Sequence, residues 1–129
     1  MAWIRPLQSD SGGGGGGGPA NAAATIRIPF TFANAPFIDS VLLLAPGDRV
    51  IQVRVEIDTA FAPGTTIDVG QPASPAAFMP AADNVPTVLA TYEIDIDIPA
   101  VADVVRISIG GAPGVGSGVA LITYTSPGA

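Results

Sequence analysis

The side chains best placed for chemistry lie in one run, YEIDIDIP. Strand spacing puts Glu93, Asp95 and Asp97 on one face, at every second position. Three carboxylates in a row offer the oxygen ligands that Ca²⁺ takes. A carboxylate pair is also the machinery of glycoside hydrolysis. The chain has one Trp and two Tyr, however, too few for a row that stacks on sugars. The plain reading is a solvated strand face with Arg54 or Arg106 across from it. Its charges would also guard a sheet edge against unwanted pairing. The plain reading is preferred, so no metal site and no cofactor is assigned.

Nucleophilic catalysis lacks its parts. Ser and Thr are present, but the sequence contains no His, no Cys and no Lys. No ordinary base is left to activate a hydroxyl. The cations are all arginines: Arg5, Arg27, Arg49, Arg54 and Arg106. The tract SDSGGGGGGGPA is not a phosphate loop, because Pro19 and Ala20 follow the glycines where Lys and Ser or Thr would be needed. The expectation is that the chain is not an enzyme.

The elements that would position such residues are strands. In TIRIPFTF, Ile26, Ile28, Phe30 and Phe32 share a face, and Pro29 marks an edge. FIDSVLLL is a second strand, and Pro46–Gly47 fits the centre of a type II turn. In VIQVRVEID, Ile51, Val53, Val55 and Ile57 point one way and Gln52, Arg54, Glu56 and Asp58 the other. A turn at Pro63–Gly64 leads to TTIDVG. YEIDIDIP turns Tyr92, Ile94, Ile96 and Ile98 inward, and DVVRISIGG does the same with Val105, Ile107 and Ile109. PGVGSG reads as a hairpin connection and VALITYTS as the last strand. No segment keeps a 3.6-residue period. Seven or eight short strands of this kind predict an all-β antiparallel sandwich, jelly-roll-like. Residues 70–90 hold four prolines and little strand pattern, so they read as a long loop. Phe78 and Met79 within it either fold back onto the sandwich or insert into a neighbouring subunit as a loop contact.

The chain thus divides into an N-terminal anchoring arm with a poly-Gly linker, residues 1–23, and a β-sandwich domain, residues 24–129. Seven glycines in a row span roughly 15 Å as a free coil and about 25 Å fully extended. They carry MAWIRPLQ clear of the domain. That head holds the one Trp of the chain. Trp and Arg are favoured interface anchors. Trp3, Ile4, Arg5 and Leu7 are therefore the candidate partner-docking residues; a tail that folds back or docks nowhere is the alternative.

Composition bounds the partners. Only 12 % of residues are charged against 48 % hydrophobic, low charge for the surface of a small monomer, which suggests that copies cover one another. A net charge of −6 argues against nucleic acid. The longest apolar run, VLLLAP, is too short to cross a bilayer, so no membrane insertion is expected. MAWIRPLQSDS lacks the continuous apolar stretch of a signal peptide. The expectation is synthesis and use in a cytoplasm, or export inside a larger particle.

The segments WIRPL followed by glycines, LLLAPGDRVIQVRVEIDTAF leading into GTTIDVG, and GVGSGVALITYTSP together resemble small virion accessory proteins of tailed bacteriophages. The resemblance covers most of the chain. It implies a structural role as a capsid decoration, head-fibre or tail-associated component, assembled as a homo-oligomer with a trimer favoured. It carries no catalytic residues over. The expected function is a knob held by its arm to the capsid surface. The alternative is a tail-associated receptor- or glycan-binding module that uses the loop around Phe78 and Met79.

Overall fold

Alternating apolar residues produce eight strands in two antiparallel sheets, as a computed structural model that describes residues 23–127 shows. The strands are β1 (Ala23–Thr31), β2 (Phe37–Leu44), β3 (Arg49–Thr59), β4 (Thr66–Gln71), β5 (Ser74–Met79), β6 (Thr91–Pro99), β7 (Asp103–Gly110) and β8 (Ser117–Thr125). One sheet has the order β1-β8-β3-β6 and the other β2-β7-β4-β5. Successive strands from β1 to β4 switch sheets, and β5 to β8 return along the same path. This is the jelly-roll arrangement. Among the described residues no helix is long and apolar enough to cross a membrane. The sequence-read arm, apart from Ala23, lies outside the described residues.

The two inner faces make the core. From one sheet come Ile26, Ile28, Phe30, Val53, Val55, Ile57 and Ile122; from the other come Leu44, Ile67, Val69, Phe78, Val105, Ile107 and Ile109. The rings of Phe30 and Phe61 stack with centroids 5.9 Å apart. Period-two patterning places almost every one of these residues, because a half-buried strand must put alternate side chains on the dry side. Tyr92, Ile94, Ile96 and Ile98 also face inward, half-buried at the rim of the core.

Three expectations need correction. Ile51 does not share the core face with Val53. The ladder slips between Val50 and Gln52, so Val50 is buried and Ile51 half-exposed. A bulge adds one residue and changes the phase of the alternation. Phe32 does not continue the line of Phe30. The strand ends at Thr31, whose hydroxyl accepts from the Ala33 amide while Asn34 Oδ1 accepts from the Thr31 amide. This capping box opens a short 3₁₀ turn, and Phe32 lies exposed in it. Residues 70–90 are not one loop. They contain β5 and a 3₁₀ turn at Ala81–Asp83. Pro75 is tolerated because β5 is an edge strand, where a missing amide donor loses little.

Turns hold the strand ends as the sequence predicts at Gly47 and Gly64, with φ of 93° and 88°. The Asp48 amide donates to Ala45 O, and a buried Asp48 carboxylate accepts from the Ala45 amide at 2.8 Å. Asn84 Nδ2 donates to Ile67 O and ties the β5–β6 connection to β4. Gln71 does the work of a missing strand at the opposite end. Its amide donates to Val101 O and Asp103 O and accepts from the Val101 amide, which holds the β6–β7 loop.

Ile107→Ala should lower the unfolding free energy by about 2–5 kcal/mol, the usual cost of a truncation at a fully buried site. Val41→Ala, at a fully exposed site, should change it by less than about 0.5 kcal/mol. Urea unfolding followed by far-UV circular dichroism measures both.

Candidate assembly interface

Two open four-stranded sheets leave four strands with a partner on one side only: β1, β6, β2 and β5. An edge offers unpaired amides and carbonyls to any passing strand, and proteins block it with charge, proline or brevity. Three of the four edges carry such a block. β1 has Pro29 in its middle and Arg27 exposed beside it. β5 is six residues long and contains Pro75.

The third blocked edge is β6, with the acidic row. Register places Arg54 opposite Glu93 and Gln52 opposite Asp95. Gln52 Nε2 donates to both Glu93 and Asp95, at 3.2 and 3.3 Å. Arg54 Nε lies 3.8 Å from Glu93, and Arg49 Nε lies 2.6 Å from Asp97. The hydrogen bond to Asp97, and then its charge, raise the Arg49 pKa above its ordinary value. The row is therefore a solvated, cross-strand-paired face. Arg106 is not part of it, as one form of the sequence reading had it. Arg106 lies on the other sheet, where its guanidinium binds both carboxylate oxygens of Asp39, at 2.7 and 3.0 Å, and stacks on Phe37 at 3.7 Å. The hydrogen bonds to Asp39 raise its pKa as well, against the pull of burial. Among the described residues no group of three His, Cys, Asp or Glu side chains is arranged to hold a metal ion.

The β2 edge differs from the other three. Its exposed side chains are apolar: Phe37 at 43 %, Val41 at 101 %, Leu42 at 56 % and Leu43 at 67 % relative exposure. Its ladder to β7 runs through Asp39↔Arg106 and resumes at Leu43↔Val104. Between these pairs β2 takes four steps and β7 takes two, so β2 bulges outward. The bulge satisfies its own polar groups. The Ser40 hydroxyl donates to Leu42 O at 2.6 Å and accepts from the Val105 amide at 2.9 Å. The bulge therefore presents side chains to solvent, with its Leu42 carbonyl already bonded. Val41, Leu42 and Leu43 form an apolar ridge, and Val101 is exposed at the same end of the sandwich. Exposed apolar side chains grouped along one edge make this the candidate interaction surface.

The sequence-read contact residues fall in two groups. Trp3, Ile4, Arg5 and Leu7 lie outside the described residues. Phe78 and Met79 are buried in the core of their own chain, which removes them as a loop contact. Burial of these two side chains takes the strongest apolar feature from the loop surface proposed for receptor binding. The β2 ridge was missed at the sequence level. FIDSVLLL reads as a continuous strand, and its two extra residues become visible only against the β7 register. The available signal was the run Val41–Leu42–Leu43–Leu44, in which consecutive apolar residues break a two-residue period.

No protein-family model and no curated protein matches the chain. Two solved structures share its fold. A chain of the cyanophage Pam1 capsid asymmetric unit superposes with a TM-score of 0.58 at 22 % identity, over 94 % of this chain and 94 % of that one. A chain of the acid-stable capsid structure of Helicobacter pylori bacteriophage KHP30 superposes with a TM-score of 0.55 at 17 % identity, over 81 % of this chain and 88 % of that one. At these identities the likeness is one of fold.

Replacing Glu93, Asp95 and Asp97 together by Thr should leave the circular dichroism spectrum unchanged and produce concentration-dependent association in light scattering, because the β6 edge loses its charges. Millimolar calcium should leave the melting temperature of the unaltered protein where it was.

Proposed function

We propose that this chain is a structural, non-catalytic component of a tailed-phage virion. The observation that carries the reading is the jelly-roll order β1-β8-β3-β6 and β2-β7-β4-β5 on a chain that aligns end to end with a phage capsid chain. An eight-stranded jelly roll is a common shell-building unit, although fold alone does not fix function. The site chemistry supports the same reading. The carboxylate row is spent on cross-strand pairing, and the arginines of both sheets are engaged by neighbouring carboxylates at Arg49, Arg54 and Arg106.

The proposed form is a homo-oligomeric knob, with a trimer favoured, on the outer capsid surface as a decoration or head-fibre protein. Its anchoring arm docks through Trp3, Ile4, Arg5 and Leu7 into a neighbouring virion subunit. The partners are other copies and other virion proteins; the place of action is the virion, after synthesis in the host cytoplasm. Low surface charge and the apolar β2 ridge support self-association. The tail-associated receptor- or glycan-binding alternative loses its best surface with the burial of Phe78 and Met79.

Full-length protein added to capsids that lack it should bind at defined stoichiometry. A version beginning at Ala22 should bind at least about tenfold more weakly, since it loses the arm contact that holds several copies on the capsid at once. Equal binding by both would overturn the role of the arm. Binding by neither would overturn the capsid reading.

A further inference from the structure

The β2 ridge lacks a cover among the described residues, and the chain itself contains a segment that fits it. Val41, Leu42 and Leu43 lie at the end of the sandwich where β2 finishes and β1 begins. Leu44 pairs with Asp103 at the start of β7. Ala23 pairs with Thr125, and Thr125 pairs with Arg49 at the start of β3. β1 and β2 are edge strands on the same side of their two sheets, so the chain enters the sandwich beside the ridge. The residues before Ala23 include Trp3, Ile4 and Leu7, an apolar set of the size the ridge lacks.

Reach and charge both admit the contact. Fifteen residues, 8–22, separate Leu7 from Ala23. A Gly-rich linker of that length has an end-to-end distance of roughly 20 Å and extends to about 50 Å. That reach covers the chain's own ridge as well as that of a neighbour; the low charge of the chain, 12 % of residues, favours a neighbouring copy. Charge adds direction. Asp103 stands opposite Leu44 next to the ridge; its Oδ1 accepts from the Val104 amide, and its charge acts on Arg106 without a direct ion pair. Arg5 sits between Ile4 and Leu7 and would bring a guanidinium to that carboxylate.

We propose that residues 3–7 of one copy pack on the Val41–Leu43 ridge of the adjacent copy, with Arg5 against Asp103. The arm then fastens knob to knob. This rests on the self-assembling structural role proposed above and names the subunit that receives the arm.

Trp3 is the only Trp, so its fluorescence reports the contact directly. Full-length protein should emit at shorter wavelength than the free peptide MAWIRPLQ and should scatter light as an oligomer. The double variant Leu42→Asp, Leu43→Asp changes two exposed side chains. It should keep its circular dichroism spectrum, emit like the free peptide and fall to monomer mass. Trp3→Asp, outside the sandwich, should lose the same mass. Arg5→Glu should weaken assembly, and Asp103→Arg added to it should restore it. Wild-type emission equal to that of the peptide overturns the proposal, as does unchanged emission in the folded double variant. A red shift with no change of mass places the arm on its own ridge and overturns the exchange. Failure of capsid binding alongside an intact fluorescence shift would overturn the virion reading alone.

Discussion

The two sheets of this molecule are joined chiefly by an apolar layer. Ladders run within each sheet, and the polar links between elements of different sheets are confined to loops such as that held by Gln71. Sandwich stability therefore depends on every strand delivering its apolar side chains to the same interior plane. Burying that surface contributes about 25 cal/mol per Å². A strand that slips by one residue would turn its whole apolar set to water. The slips at Val50/Gln52 in β3 and between Asp39 and Leu43 in β2 are confined to short bulges, after which Val53 and Leu44 are again inside, and two further slips, at Ile57/Thr59 and Val69/Gln71, fall near strand ends.

This dependence explains what could be read in advance. β3, β6, β7 and β8 were visible because alternation leaves a mark at every second residue, and the turns at Gly47 and Gly64 because a positive φ favours glycine. β5 was hidden for a physical reason. Ser74, Pro75, Ala76 and Ala77 are small or donor-poor, and the strand gains its place from Phe78 and Met79 in the core and from pairing with β4. The pairing of the acidic row was half legible. Alternation puts Arg54 on the outer face, but only the β3–β6 register shows Arg49 and Gln52 joining it and Arg106 absent. The β2 ridge was the least legible, because it is a mismatch between two strands. A single strand read alone does not contain it.

Edges connect the fold to its use. The molecule spends charge on β6 and proline on β1 and β5, and it leaves β2 apolar. Surface polarity on such a small domain is a limited resource, since 12 % of the residues are charged. Charge on β6 and at Arg27 of β1, and proline on β1 and β5, leave β2 as the edge with the exposed apolar run.

The bulge also limits one route of assembly. Ser40 occupies the Leu42 carbonyl, and the β2 ladder is broken between Asp39 and Leu43, so an incoming strand finds an interrupted hydrogen-bond template there. Strand addition copies its own template at each step and has no natural end. Side-chain docking of one copy on the next is head-to-tail as well, and it ends only where the copies close on themselves. Contacts of that kind close into rings of fixed number when the rotation between copies allows it. The bulge thus disfavours open-ended strand addition at the β2 edge, the route by which exposed edges grow into fibrils.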